Sequence, residues 1–438
     1  MKLLWNEFMK YAIPSVIGMM VSALYIVVDG IFVGRGLGAW ALAAINVALP
    51  VTTLILAITM MITMGGAAVT SIKFGQHRFE EGNNIFLESL LLIVLVTSSV
   101  SIIGVLYPYQ IASILGASDE LLTGTAEYLR YYLIFGLGFS LSLAISVFVR
   151  NDGNPKLSMV ALIIGAITNI ALDYTFIFIF NFGIIGAAIA SGIGQLSSVF
   201  ILLTHFTRNK GMLKIYIPKI KKYEVIRILK AGTPEFIVQI SPAISIFAFN
   251  QVILRRIGEI GIAGFSIIGY ISVVLTALFI GVSQGIQPLL SYNYGKKDYE
   301  KVNKIFKMGL KTNFVVSLII YIIILIFGEE IISLFNSDEA LIKLTYDAMI
   351  IYMLSFIIAS LNIVNVTYYQ SIEKSRIAIN ISISRGMFFT LVFLLVLPIM
   401  VGNIGIWYSI FLGEISTLLY IVYLVYVKKI FMIPNINK

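Results

Sequence analysis

Apolar residues dominate the chain in long runs, each closed by a short polar or glycine-containing break. Runs of about twenty residues or more recur from end to end, enough for a helix to cross roughly 30 Å of hydrocarbon. Hydropathy and turn signals predict twelve helical spans, roughly at 10–33, 44–72, 84–107, 125–149, 157–180, 184–206, 228–254, 261–291, 305–327, 342–369, 376–399 and 403–427. The breaks carry turn chemistry, as in Gly34-Arg35-Gly36, Asn151-Asp152-Gly153-Asn154-Pro155, Asn181-Phe182-Gly183 and Gly402-Asn403. Lys2 and Lys10 precede an apolar run that resembles a signal peptide. That run continues past Asp29 without a small-residue cleavage pattern, so it is expected to be the first span.

Composition supports lipid as the solvent. Hydrophobic residues make up 59% of the 438 and charged residues 12%, and mean hydropathy is +0.96. A soluble domain carries about a quarter of its residues as charges. With no cysteine, disulfides, thiol nucleophiles and thiolate metal sites are excluded, and two histidines, His77 and His205, leave little room for histidine catalysis.

The charge pattern orients the chain. With both termini cytoplasmic, all but five of the 31 Lys and Arg residues fall on the inner side; the exceptions are Arg35, Arg130, Arg255, Arg256 and Lys343. The segments from Arg208 to Lys230 and from Lys296 to Lys311 are the most basic, whereas Asp119-Glu120, Glu329-Glu330 and Asp338-Glu339 mark the outer side. The net charge of +9 therefore follows from topology, and a nucleic-acid partner is not expected.

The chain also repeats itself. A shift of 220 residues superimposes Lys10 on Lys230, Pro14 on Pro234, Gly65 on Gly285, Gly75 on Gly295 and Ile85-Phe86 on Ile305-Phe306. A shift of 219 superimposes Ser118-Asp119-Glu120 on Ser337-Asp338-Glu339, Gly183 on Gly402 and Gly186 on Gly405. The expected fold is all-α, with twelve transmembrane helices in two six-helix lobes related by a pseudo-two-fold axis along the membrane normal. Lobe boundaries are expected at 1–207 and 228–438, joined by a basic cytoplasmic linker, 208–227. A cavity between such lobes that opens to either face suits transport.

Ionisable residues inside a membrane are costly and are functional candidates by default. The clear cases are Asp29, Asp173, Glu235, Arg385 and Glu414. Asn169 and Asp173 are one helical turn apart, and the topology brings Asp29, Asp173 and Ser191 from three spans to one depth. Two carboxylates, an amide oxygen and a hydroxyl could surround a hard cation such as Na⁺, chiefly at Asp29, Asn169 and Asp173. Because two close carboxylates do not both ionise cheaply in low dielectric, the pair could instead hold a proton. Unrelated polar residues, each satisfied locally, are the plainer alternative. At the shifts above, Asp29 falls on Phe249, Asn169 on Phe388 and Asp173 on Val392, so the site is expected in the first lobe only.

Other polar positions are more ambiguous. Arg385 and Glu414 suit an ion pair within the second lobe, and Glu414 falls on Gln195 in the repeat. Gln239, Gln284, Gln287 and Asn362, with Asn250 and Asn365, could line a substrate cavity or bridge helices. Pro14 and Pro234 are expected to kink their spans. Glycine-rich stretches such as Gly34–Gly38 lack a P-loop pattern, so neither ATP-driven transport nor a resident cofactor is expected.

Taken in order, Ala12-Ile13-Pro14 leading to Asp29-Gly30, the segment Arg150–Pro155, Asn169 with Asp173, and the glycine-rich start of the sixth span resemble the multidrug and toxic compound extrusion (MATE) transporters. The loop after the fourth span looks most like the MepA-type bacterial subgroup. The resemblance covers nearly the whole chain. It implies two lobes in a V and export of cationic, drug-like amphiphiles in exchange for Na⁺ or H⁺. It also implies a cation site at Asp29, Asn169, Asp173 and Ser191. The acidic pair that some members carry on the seventh and tenth helices has no counterpart here. The setting this implies is a bacterial inner (cell) membrane, crossed by a monomer with both termini cytoplasmic. A lipid-linked precursor flippase of the same superfamily is the alternative function, and a membrane-embedded aspartyl enzyme a more distant one.

Overall fold

The computed structural model describes residues 2–207 and 211–426. Arg208, Asn209 and Lys210 of the expected linker, and the residues after Tyr426 that close the last expected span, lie outside the described residues. The described residues form helices and no strand. In order they are α1 (Lys2–Leu37), α2 (Ala39–Gly75), α3 (Phe79–Leu106), α4 (Pro108–Ile114), α5 (Asp119–Ile134), α6 (Gly136–Asn151), α7 (Pro155–Tyr174), α8 (Gly183–Thr207), α9 (Lys222–Arg256), α10 (Glu259–Gly295), α11 (Tyr299–Ser333), α12 (Glu339–Ser371), α13 (Ser375–Ile383), α14 (Phe389–Val401) and α15 (Ile404–Tyr426). Two π turns, Thr175–Ile179 and Ser384–Phe388, interrupt the fifth and eleventh spans.

Among these residues, eleven spans are long and apolar enough to cross as single helices, and a twelfth is the pair α5 and α6, bent by 49°. The sequence predicts that span as one helix over 125–149. The break at Phe135 follows from its packing. Gly192 of α8 leaves room for the Phe135 ring, and a Cβ there would lie 2.1 Å from its Cγ. Gly136 and Gly138, next in the chain, lie against Ser101 and Leu196. Glycines of this kind weaken a helix at the point where a neighbour bends it. Ser140, just past the bend, is held from two sides by Thr59 Oγ1 at 2.9 Å and Thr97 Oγ1 at 3.2 Å. Pro14 and Pro234, by contrast, sit inside α1 and α9 without a break in either helix. The long helix with a non-helical residue inside it is α11, at Phe327.

The chain divides into two compact units, Met1–Phe236 and Ile237–Lys438, and the division falls within α9. The beginning of α9 packs in the first unit through glycines: a Cβ on Gly232 would lie 1.7 Å from the Met61 carbonyl oxygen, and one on Gly65 2.1 Å from that of Ile228. The segment leading into α9 is extended and strapped to the first unit. Asp152 accepts from the backbone amides of Met212 (2.7 Å) and Leu213 (3.1 Å) and pairs with His205 Nε2 at 2.7 Å. Asn83 and Asn84 each clasp the strap's backbone through both donor and acceptor atoms. The Asp152 of the turn motif is therefore a clamp on the linker, and His205 is buried with it.

Helix boundaries make the repeat more exact than sequence likeness does. α2 and α10 start at Ala39 and Glu259, 220 positions apart, and α7 and α13 start at Pro155 and Ser375, again 220 apart. Left-handed residues keep the same interval: Gly38 with Gly258, His77 with Lys297, and Gly153 with Glu373. The N-caps are Ser118 and Asp338, so the local likeness of Ser118-Asp119-Glu120 to Ser337-Asp338-Glu339 is one residue out of structural register. Only at Gly183 and Gly402 has the interval become 219. The change occurs inside the span that carries the π turns.

A π turn adds one residue without advancing the helical face. In the first unit it follows Asp173; in the second it precedes the equivalent position. Between the two, the interval is therefore 221. Contacts with the next helix agree: Gly194 abuts Asn169, and its counterpart Gly413 abuts Thr390. The counterparts of Asn169 and Asp173 are thus Thr390 and Leu394, which are 2% and 1% exposed. Phe388 and Val392, expected from the simple shift, are 57% and 43% exposed and lie on the other face. Asp29 keeps Phe249, 1% exposed, as its counterpart.

Candidate functional site

Three helices of the first unit position the site. α7 and α8 approach closely because Gly165 and Gly194 face one another; a Cβ on Gly194 would lie 2.8 Å from the Gly165 carbonyl oxygen and 2.9 Å from the Asn169 Cβ. Gly18 lets α1 approach α7 at Leu162 in the same way. Small residues at such crossings allow membrane helices to pack by backbone contact. One turn beyond Asn169 on α7 lies Asp173, with no exposed surface.

Asn169 Nδ2 donates to Ser191 Oγ of α8 at 3.2 Å, which aims the amide oxygen away from α8. The carboxyl groups of Asp29 and Asp173 are within interaction range of one another. Asp173 Oδ1 and Oδ2, Asp29 Oδ1 and Asn169 Oδ1 are all buried with no donor at hydrogen-bond geometry among the described residues, and the polar groups that approach them are one another: the two carboxyls and the Asn169 amide. Neither carboxylate has a Lys, Arg or His partner there. Leaving buried acceptors unsatisfied costs several kcal/mol per charged group, at about the scale of a broken buried ion pair. Such a set is stable when a proton or a hard cation occupies it. The oxygens present (two carboxylates, an amide and a hydroxyl) suit Na⁺ as well as H⁺.

The structure thus brings together all four residues expected at the site: Asp29, Asn169, Asp173 and Ser191. It adds residues that the sequence reading did not assign there. Tyr25, one turn before Asp29, neighbours both carboxylates and Gln195, itself one turn after Ser191. Tyr128 of α5 also faces the two acids and stacks on Tyr132, with centroids 5.8 Å apart. The one-turn spacing from Asp29 and Ser191 is a signal for Tyr25 and Gln195. Nothing in the sequence marks Tyr128, since α5 reaches the site only through tertiary packing.

The remaining candidates lie in the second unit. Gln239 is half-buried on α9, and Gln284 and Gln287 are buried on α10, where Gln287 Nε2 donates to Ser291 Oγ at 3.3 Å. Asn362 is fully buried on α12 and donates to the Glu414 backbone oxygen at 3.0 Å and to Oε2 at 2.7 Å. Glu414 in turn accepts from Arg385 Nε at 2.9 Å. Arg385 and Glu414 are therefore an ion pair, with Asn362 fixing the carboxylate. Glu235 belongs to the first unit and is buried.

Comparison with known proteins places this arrangement in a family. The MatE family profile matches residues 14–175 and again 234–396, two matches that start 220 positions apart, as the repeat does. The chain belongs to the MatE family of multi-pass membrane proteins. Among curated relatives, it is 24% identical over 431 residues to multidrug export protein MepA of Staphylococcus aureus (strain MRSA252), covering 97% of this chain and 94% of that one. It is 23% identical over 427 residues to MepA of Staphylococcus saprophyticus, with the same coverage. The fold matches the outward-facing structure of a multidrug resistance MATE family transporter with a TM-score of 0.90 at 23% identity, over 97% of this chain and 96% of that one. A crystal structure of MATE in the straight conformation matches with the same score and coverage.

Proposed function

We propose that this protein is a secondary active exporter that expels cationic amphiphilic compounds from a bacterial cell in exchange for Na⁺ or H⁺. The observation that carries this reading is the set of four buried acceptor oxygens on Asp29, Asn169 and Asp173 with no donor at hydrogen-bond geometry among the described residues. Such a set binds a small cation and loses it reversibly, because no resident Lys or Arg neutralises it. Ser191 orients Asn169, and Tyr25 and Gln195 border the carboxylates. Substrate is expelled when a cation moving inward replaces it, so that the two are never bound at full strength together. Membership of the MatE family and likeness to proteins named for multidrug export support the choice of cargo. The protein is expected to work as a monomer in the inner (cell) membrane, with both termini cytoplasmic.

The test is efflux of a cationic dye from proteoliposomes under separately imposed Na⁺ and pH gradients. Acceleration by at least one gradient is expected. Efflux that ignores both gradients, in vesicles that hold them, would overturn the reading.

A further inference from the structure

The second unit carries a polar cluster with the opposite chemistry to that of the first. Arg385 stands in the π turn Ser384–Phe388, almost three turns after Ser375, roughly 15 Å along a membrane-spanning element. The turn is anchored at its loosened carbonyls. Ser245 Oγ of α9 donates to the Gly386 oxygen at 2.7 Å, and Thr390 Oγ1 to the Arg385 oxygen at 3.0 Å. The guanidinium is anchored at its inner edge only: Nε donates to both Glu414 oxygens, at 2.9 and 3.3 Å. Glu414 is held by Asn362, which leaves it no freedom to wrap around the guanidinium.

The two terminal nitrogens of Arg385 have no acceptor among the described residues. The side chain is 19% exposed, against 9% for Glu414, so the guanidinium is the more accessible partner of the pair. Ile383, two residues before it, and Phe388, three residues after it, are exposed apolar surface of the same span. Arginine donors at membrane depth without acceptors are costly, and the free edge of a guanidinium matches the paired oxygens of a carboxylate or phosphate.

We propose that Arg385, fixed by Glu414 and Asn362, is an oxyanion-binding residue of the second unit that takes the carboxylate or phosphate group of an amphiphilic ligand. Ile383 and Phe388 provide apolar surface for its hydrocarbon part. The site stands on the geometry of the second unit alone; only the description of a mobile ligand as cargo rests on the export reading. A membrane phospholipid and a mobile amphiphile present the same chemistry to Arg385.

The experiment measures binding and needs no transport. The purified full chain, in a maltoside detergent, is titrated with a pyrene-labelled dodecanoate and with its methyl ester. In the double variant Arg385→Gln/Glu414→Gln, which removes both charges together, carboxylate affinity is expected to fall about tenfold to a hundredfold, to the level of the ester. Ester binding stays unchanged. Arg385→Lys, which keeps the charge and loses the fork, gives an intermediate affinity and controls for folding. Native mass spectrometry separates the sources. A phosphatidylglycerol retained by the parent and lost from the double variant, which the labelled carboxylate does not displace, assigns the site to membrane lipid. Displacement by the carboxylate assigns it to a mobile amphiphile. Equal binding of carboxylate and ester to the parent, or equal loss of both in the variants, would overturn the proposal and leave the edge to water.

Discussion

The two units share helix starts, left-handed turn residues and glycine crossings, yet they solve the problem of buried polarity in opposite ways. At the level where α7 meets α8, the first unit buries Asp29, Asn169 and Asp173 and leaves their acceptor oxygens without donors at hydrogen-bond geometry. At the same level the second buries Phe249, Thr390 and Leu394. Where the first has the neutral Gln195, the second has Glu414, neutralised by Arg385 and hydrogen-bonded by Asn362. An apolar or paired interior is what packing alone favours. The departure in the first unit is what the proposed reversible cation site requires, and the second unit has a matching scaffold without it.

The largest effect expected from breaking this contrast is functional. Asp173→Asn or Asp29→Asn should reduce gradient-driven dye efflux to the level of empty liposomes without lowering thermal stability, because a neutral amide replaces a buried unpaired carboxylate. In the second unit the stability effect reverses. Glu414→Ala strips Arg385 and Asn362 of their acceptor and should cost about 3 kcal/mol, seen as a lowered Tm in detergent. The double variant Arg385→Gln/Glu414→Gln should recover most of it, which a double-mutant cycle would quantify.

The matched glycines sharpen the comparison. A Cβ on Gly194 would crowd the Gly165 carbonyl and Asn169, and one on Gly413 would lie 2.7 Å from Thr390 Oγ1 and 3.1 Å from its backbone. Gly194→Ala and Gly413→Ala should each destabilise by about 1–3 kcal/mol. Only Gly194→Ala should also weaken the response of efflux to the ion gradient, since it alone displaces a site residue. The smallest effect is expected at the linker. Asp152→Ala removes the acceptor for Met212 and Leu213 amides, at about 1–2 kcal/mol, and those amides should exchange hydrogen faster.

Much of this contrast is legible in the sequence, for identifiable reasons. Span number and repeat follow from hydropathy and residue spacing, which the bilayer enforces at every position. Asp29, Asn169, Asp173 and Ser191 are findable because charges are rare in spans and helix spacing fixes their depth. The bend at Phe135 is not legible, because it depends on the space that Gly192 leaves on another helix. Nor are the π turns, which have no composition of their own. The π turn that precedes this level in the second unit raises the interval there from 220 to 221, so the counterparts of Asn169 and Asp173 are Thr390 and Leu394 rather than the Phe388 and Val392 that a shift of 219 gives. Tyr128 joins the site by packing alone.

On the function proposed above, the coupling cation binds at Asp29, Asn169 and Asp173 of the first unit and not at Arg385 and Glu414 of the second. The most direct measurement is ion binding to the purified protein in the absence of substrate, followed as Na⁺ uptake and as proton uptake. The parent protein and the Arg385→Gln/Glu414→Gln variant are predicted to give the same signal, and Asp173→Asn none. A signal that survives Asp173→Asn, or that disappears in the second-unit variant while the protein remains folded, would place the cation outside the first-unit site.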